Sequence, residues 1–240
     1  IKIPFTTTFK KDVEYFLNVA AILKTDEPLL KAGYKVAYEQ FKLQAANVQV
    51  PQKATDAVSY KSKGDVISVT GKEFEVTFDQ KTGTLTTFDF KNKKLVESGP
   101  EVNFWRAPVD NDYGAGTQKR YKAWKDAGKS EKVTTAVKQL SKSEVQISFT
   151  RDLFGGDAKL IETFIVDGNG AVKVTNELKA LKGKHPDFFK FGNKLVLPEA
   201  YKNITFYGKG PFEAYADRQH AAKVGLYKQT IAEQYFPYIR

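Results

Sequence analysis

Two stretches of this chain concentrate side chains that could do chemistry. The first is Asn103-Phe104-Trp105-Arg106-Ala107-Pro108-Val109-Asp110-Asn111-Asp112-Tyr113-Gly114. Aromatic faces such as Trp105 and Tyr113 can carry the apolar side of a sugar ring, while Asp110, Asn111, Asp112 and Arg106 can hydrogen-bond its hydroxyls. The same residues also suit a folded Asx-turn loop in which Arg106 pairs with Asp110 or Asp112. An Asp-x-Asp pattern offers oxygens to a hard cation, but the segment does not supply six ligands. The second stretch is Tyr207-Gly208-Lys209-Gly210-Pro211-Phe212-Glu213-Ala214-Tyr215-Ala216-Asp217-Arg218. Glu213 and Asp217 could form an acid and base pair, since glycosidases need two carboxylates. A salt-bridged turn involving Arg218 is the simpler reading.

The elements that must position these residues are mostly strands. Phe74, Val76 and Phe78 alternate with Glu73, Glu75 and Thr77, Val145, Ile147 and Phe149 with Gln146 and Ser148, and Val172 and Val174 with Lys173 and Thr175. This period of two marks half-buried strands. Gln80-Lys81-Thr82-Gly83 and Asp167-Gly168-Asn169-Gly170 read as hairpin turns, with Gly or Asn taking positive φ. Many short strands with regular turns predict an all-β sandwich or barrel. One segment departs from this. Thr117 as N-cap, Tyr121, Trp124 and Ala127 at helical spacing, and Gly128 as a stop predict a short helix over 118–127. Glu14–Leu23 and Tyr34–Leu43 read as strands joined through Asp26, Pro28 and Gly33, and a boundary is expected within 44–64.

Composition narrows the function classes. The 240 residues contain no Cys, which excludes a disulfide scaffold, a Cys nucleophile and Cys-ligated metals. No apolar run approaches the roughly 20 residues of a membrane helix, which argues against an integral membrane protein. The net charge of +10 invites nucleic acid, but only Arg106, Arg120, Arg151, Arg218 and Arg240 are arginines, and the lysines are dispersed. A lysine-rich soluble surface is the better reading. Lys91-Asn92-Lys93-Lys94 looks like a solvated turn. There is no nucleophile elbow, zincin, P-loop or dinucleotide motif. His185 and His220 lack ligand spacing. A first residue of Ile and the absence of Met suggest an excised fragment.

At the two clusters the chain resembles a known family. Phe104-Trp105-Arg106-Ala107-Pro108 with Asp110-Asn111-Asp112 and Gly114, then Trp124–Gly128, resembles the start of the C-terminal domain of bacterial β-galactosidases of glycoside hydrolase family 2. Gly208, Gly210, Pro211, Glu213, Tyr215, Asp217 and Arg218, then Tyr235-x-Pro237-Tyr238, resemble a later signature of that domain, here a structural motif. Tyr34–Leu43 resembles the last strands of the immunoglobulin-like sandwich that precedes it.

The resemblance implies a partial immunoglobulin-like β-sandwich over 1–50 and a large antiparallel β-sandwich, or supersandwich, over 64–240, truncated at its C-terminus and carrying one short helix. It implies retaining hydrolysis of terminal β-galactosides such as lactose in the parent enzyme, in a bacterial cytoplasm or periplasm. Both catalytic Glu residues would lie in a TIM barrel that this chain lacks, so no catalytic residue is expected here. The chain would brace the barrel and wall the active-site mouth. Trp105, Arg106, Asp110, Asn111, Asp112, Tyr113 and Gly114 would then be the substrate-facing set, and Gly114 and Gly116 would let the loop after Asp112 act as a lid. The fragment is expected to hold no metal or cofactor, although parent enzymes can use Mg and Na. The competing readings are an autonomous carbohydrate-binding module using Trp105, Tyr113 and Trp124, or a structural domain whose strand edges drive homo-oligomerisation.

Overall fold

A computed structural model describes residues 8–47, 52–127, 129, 132–179 and 182–235. The described residues fall into two compact units, those of 1–52 with 204–236 and those of 53–203.

The first unit begins with an antiparallel hairpin, β1 (Tyr15–Ile22) and β2 (Lys35–Gln44), where both strands were expected. Leu17 lies opposite Phe41 and Asn18 opposite Gln40. Asp26 organises the connection by accepting the Ala32 amide at 3.0 Å.

The second unit is a two-sheet sandwich. Strands β3 (Ser59–Lys63), β4 (Val66–Thr70), β5 (Phe74–Asp79), β6 (Thr84–Phe90) and β7 (Lys93–Val96) form an antiparallel meander. After β8 (Ser98–Asn103), strands β9 (Val133–Ser141), β10 (Glu144–Leu153), β11 (Ala158–Asp167) and β12 (Val172–Lys179) form a second meander. A further strand, β13 (Gly192–Val196), pairs with β8.

The alternation seen in the sequence is the inward register of these strands. Phe74, Val76 and Phe78 from one sheet meet Val145, Ile147, Phe149, Phe164 and Val166 from the other in one dry core. Phe78 sits 5.2 Å from the Phe164 ring and 6.2 Å from that of Phe149. Each such burial contributes about 1.5–3 kcal/mol.

Both expected hairpin turns are present. Asp79 accepts the Lys81 and Thr82 amides, each at 2.8 Å, and these bonds, Thr82 first, hold its carboxyl below the usual range. Gly83 follows at φ +63°, a conformation that Cβ-bearing residues resist. Asp167 plays the same part for Asn169 and Ala171, ahead of Gly170. Lys91 and Asn92 both take positive φ, as a two-residue hairpin of the mirror-image type requires.

One charged pair interrupts this core. On β10, Arg151 occupies the inward position after Phe149, and on β11, Glu162 occupies the inward position before Phe164. Their side chains are 4% and 1% exposed and bond at 2.6 Å from Arg151 Nε to Glu162 Oε2. The guanidinium also donates to the Thr82 and Gly83 carbonyls, tying the second sheet to the β5–β6 turn of the first.

The expected helix is corrected. Instead of one helix over 118–127 there are α1 (Asp110–Ala115), α2 (Thr117–Arg120) and a 3-10 turn, Lys122–Trp124. The break within that range is Tyr121, which ends α2 at φ −96° and ψ 6°, while Gly116, at φ 67° and ψ 17°, caps α1 in the left-handed region just before it. Thr117, expected to cap a helix, donates its hydroxyl to Asp112 instead. The expected stop at Gly128 lies outside the described residues.

The chain then returns to the first unit through β14 (Asn203–Gly210), which pairs with β15 (Lys223–Thr230). Gln40 of β2 imitates a strand partner here. Its amide donates to the Val224 carbonyl at 2.9 Å and accepts the Val224 amide at 2.8 Å. The Tyr38 hydroxyl adds a bond to the Ala221 carbonyl at 2.8 Å.

Candidate functional site

The 103–114 segment leaves β8 and passes directly into α1. Its first turn is set by Asn103, whose Oδ1 accepts the Trp105 amide at 3.0 Å, so the Asx-turn reading holds at this point. Phe104 points into a second core, only 2% exposed, with Trp124, Leu153 and Leu160.

Of the two carboxylates offered as partners for Arg106, the structure selects Asp112. Arg106 Nη1 bonds Oδ2 at 2.6 Å and Nη2 bonds Oδ1 at 3.0 Å, a two-pronged pair. The Asp112 carboxylate also accepts the Val109 amide at 2.8 Å and the Thr117 hydroxyl at 3.0 Å. One side chain, 11% exposed, therefore holds the approach to α1, its first turn and the start of α2. The Arg106 bonds are the main reason its carboxyl sits below the ordinary aspartate range, with Val109 and Thr117 adding to the effect and burial opposing it.

This gives a sign for pH. Because the folded state depresses the Asp112 pKa, its contribution is complete above the ordinary value of 3.8 and is lost as pH falls through the folded value. Asp112→Asn is expected to lower unfolding free energy by about 2–3 kcal/mol near neutrality. Urea titrations at descending pH should show the gap between the two proteins closing below about pH 4.

With Arg106 and Asp112 satisfying each other, the exposed polar and aromatic side chains of α1 are Asp110, Asn111 and Tyr113. Tyr113 is 52% exposed, so its ring is available to a ligand. Trp105 is only half-buried, but one side of it packs on Phe189 at 4.7 Å. Gly114 lies within α1, so the expected loop after Asp112 is the end of one helix, Gly116 and the start of another. Trp124 cannot serve a carbohydrate-binding module. It is 1% exposed and its indole donates to the Pro186 carbonyl at 2.5 Å.

Sequence reasoning missed the aromatic strap at 182–191. Phe188 and Phe191 pack on the Phe104 ring at 5.8 and 5.4 Å, and Phe189 lies beneath Arg106 at 4.6 Å. The signal was the density of rings in His185-Pro186-Asp187-Phe188-Phe189-Lys190-Phe191, which follows neither a period of two nor a helical one.

The 207–218 motif ends β14 and begins the connection to β15. Gly210 is buried, and a Cβ there would meet the Tyr227 ring at 2.9 Å and the Phe206 ring at 3.0 Å. That close approach explains the glycine. Pro211 follows through a cis bond and its carbonyl accepts from Gln229. Lys209 donates to Gln219 at 2.8 Å, and the Arg218 guanidinium lies over Phe212 at 5.3 Å. Gly208 is within β14; Tyr215 and Asp217 are exposed and Glu213 is half-buried. The Tyr215 carbonyl accepts the Arg218 amide at 2.8 Å, which makes the turn. Pro237 and Tyr238 lie outside the described residues.

Among the described residues no three His, Asp or Glu side chains converge as a metal-ligand set. Among the same residues no helix is long and apolar enough to cross a membrane.

Two family descriptions match the chain in succession. Residues 70–240 match the family described as β-galactosidase small chain, and residues 1–44 match β-galactosidase domain 4. The β-galactosidase of Priestia megaterium (strain DSM 319 / IMG 1521) is 32% identical over 95% of this chain and 22% of its own length. That of Streptococcus thermophilus is 28% identical over 94% of the chain and 22% of its own length. β-Galactosidase BgaC of Bifidobacterium adolescentis is 31% identical over 87% of the chain and 20% of its own length. The chain spans about a fifth of the length of these relatives. With the small-chain match running through most of its residues and the domain 4 match preceding it, the chain belongs to the β-galactosidase small-chain family.

Proposed function

We propose that this chain is the non-catalytic C-terminal region of a retaining β-galactosidase of glycoside hydrolase family 2. In this reading the rest of the enzyme supplies the TIM barrel. One carboxyl there protonates the leaving oxygen of a terminal β-galactoside, and a second forms the glycosyl-enzyme that water opens. The present chain braces that barrel, and α1 forms part of the wall of the active-site mouth.

The observation that carries the reading is the division of labour within 103–117. Arg106 and Asp112 neutralise each other beneath the helix, while Asp110, Asn111 and Tyr113 stay exposed on it. Such a surface can meet sugar hydroxyls and a sugar face without reacting with them. The carboxylates that the fold buries are committed elsewhere: Asp112 to Arg106, and Glu162 to Arg151.

The test is an assay of the purified chain against o-nitrophenyl galactoside and lactose, before and after mixing with the remainder of the enzyme. No turnover by the chain alone, and turnover after mixing, are the expected results. Appreciable hydrolysis by the chain alone would overturn the reading. Calorimetry with galactose separates the competing carbohydrate-module reading, which requires tighter than millimolar binding by the isolated chain.

A further inference from the structure

We propose that Phe189 is a positioning residue for the active-site rim, acting on α1 through the flat face of Arg106. The catalytic consequence rests on the mouth reading above; the mechanical coupling does not.

A guanidinium has two kinds of surface. Its edge carries the N–H donors, and its faces are weakly hydrated and settle well on aromatic rings. Arg106 uses both. Along its edge it donates to Asp112 at 2.6 and 3.0 Å and to the Ala107 carbonyl at 3.1 Å. Across its face it lies 4.6 Å from the Phe189 ring centre. The two parallel bonds resist a twist about the line joining the groups, but the pair can still fold like a hinge across those bonds while the guanidinium face is uncovered. The ring beneath removes that freedom. The plane of Arg106 then sets Asp112, and Asp112 sets Val109, Thr117 and the helices between them.

Phe189 is itself well placed to transmit position. Its ring meets Trp105 at 4.7 Å, before α1, and Tyr121 at 5.0 Å, after α2. The strap that carries it is pinned on several sides. The Lys182 amide donates to the Asp157 carbonyl at 2.9 Å, and His185 Nε2 lies 2.8 Å from Asp157 Oδ2. His185 also stacks on Phe154 at 4.4 Å, and the Pro186 carbonyl holds the Trp124 indole. The strap is thus anchored to the sandwich, and Phe189 is the ring through which it reaches Arg106.

The experiment compares Phe189→Leu and Phe189→Tyr in the complete enzyme. Leucine fills much of the space but has no π face, whereas tyrosine keeps the face. Hydrogen exchange is followed at residues 110–117, whose Asp112, Tyr113 and Gly116 amides bond within the helix. KM and kcat for o-nitrophenyl galactoside are measured alongside. Phe189→Leu is expected to speed exchange at 110–117 by about threefold or more and to raise KM by a similar factor, with kcat changed by less than about twofold. Phe189→Tyr should match the parent in both. Unchanged exchange in Phe189→Leu, or equal effects of Leu and Tyr, overturns the inference. Faster exchange with an unchanged KM upholds the coupling and removes the mouth reading instead.

Discussion

Arg151→Met is expected to destabilise the sandwich unit by about 3–5 kcal/mol, because it leaves Glu162 buried without its counter-charge. Glu162 is 1% exposed, and burial is the largest influence on its carboxyl, pushing the pKa up although Arg151 pulls the other way. Removing Arg151 takes away the opposing pull, so the carboxyl must be protonated or drag water into the core. The guanidinium also satisfies the Thr82 and Gly83 carbonyls, which the methionine leaves without donors. The double variant Arg151→Met with Glu162→Leu should recover part of the loss, since no lone charge remains, but not all, since the two carbonyls stay unpaired. The pH behaviour has a definite sign. A carboxyl whose folded pKa is raised binds its proton more tightly in the folded state, so stability falls as pH rises from the ordinary 4.5 through the folded value. Chemical denaturation of parent, single and double variants between about pH 4 and 8 checks this; the fall due to Glu162 should reach to higher pH in Arg151→Met and be absent in the double variant. Equal midpoints for parent and Arg151→Met would show that the pair contributes nothing.

The strands were legible because the period of two is a local property of the chain. Phe74, Val76 and Phe78 could be placed on one face without knowing what they face. The turns were legible for a similar reason, since Gly83 and Gly170 carry the positive φ that their positions require. The Arg151–Glu162 pair was readable by the same logic and went unread. A charged residue in the inward register between Phe149 and Leu153 demands a partner, and Glu162 holds the inward register between Leu160 and Phe164. The helix failed for a different reason. Helical spacing of Tyr121, Trp124 and Ala127 could not reveal that Tyr121 would leave the helical region at φ −96° and ψ 6°, or that Asp112 would claim the Thr117 hydroxyl. Arg106 had two plausible carboxylates, and choosing Asp112 depended on the turn that brings Val109 and Thr117 to the same oxygens. The contacts furthest from view join residues distant in sequence without periodicity. Gln40 with Val224, and Arg106 with Phe189, belong to this class.

Trp124→Ala is expected to cost about 3–5 kcal/mol, the range for deleting a large buried ring, and to loosen the site as well as the core. The indole contacts the rings of Phe104 at 4.9 Å, Phe154 at 4.7 Å and Phe188 at 5.2 Å, so its loss leaves a cavity with walls from three separate segments. These walls cannot close together, because Phe104 follows directly from β8 and Phe154 from the end of β10. Trp124→Phe separates packing from hydrogen bonding. It retains a ring but leaves the Pro186 carbonyl without the indole N–H, a loss of about 1–3 kcal/mol if no water replaces it. The Pro186 bond is one of the anchors of the strap that presents Phe189 to Arg106, so both variants should also release the 185–191 segment. Thermal unfolding with hydrogen exchange over 110–117 and 185–191 distinguishes the two effects. A global loss of stability with unchanged relative protection in those segments would confine Trp124 to the core. Early exchange there, ahead of global unfolding, would show that the buried tryptophan supports the exposed helix through the strap.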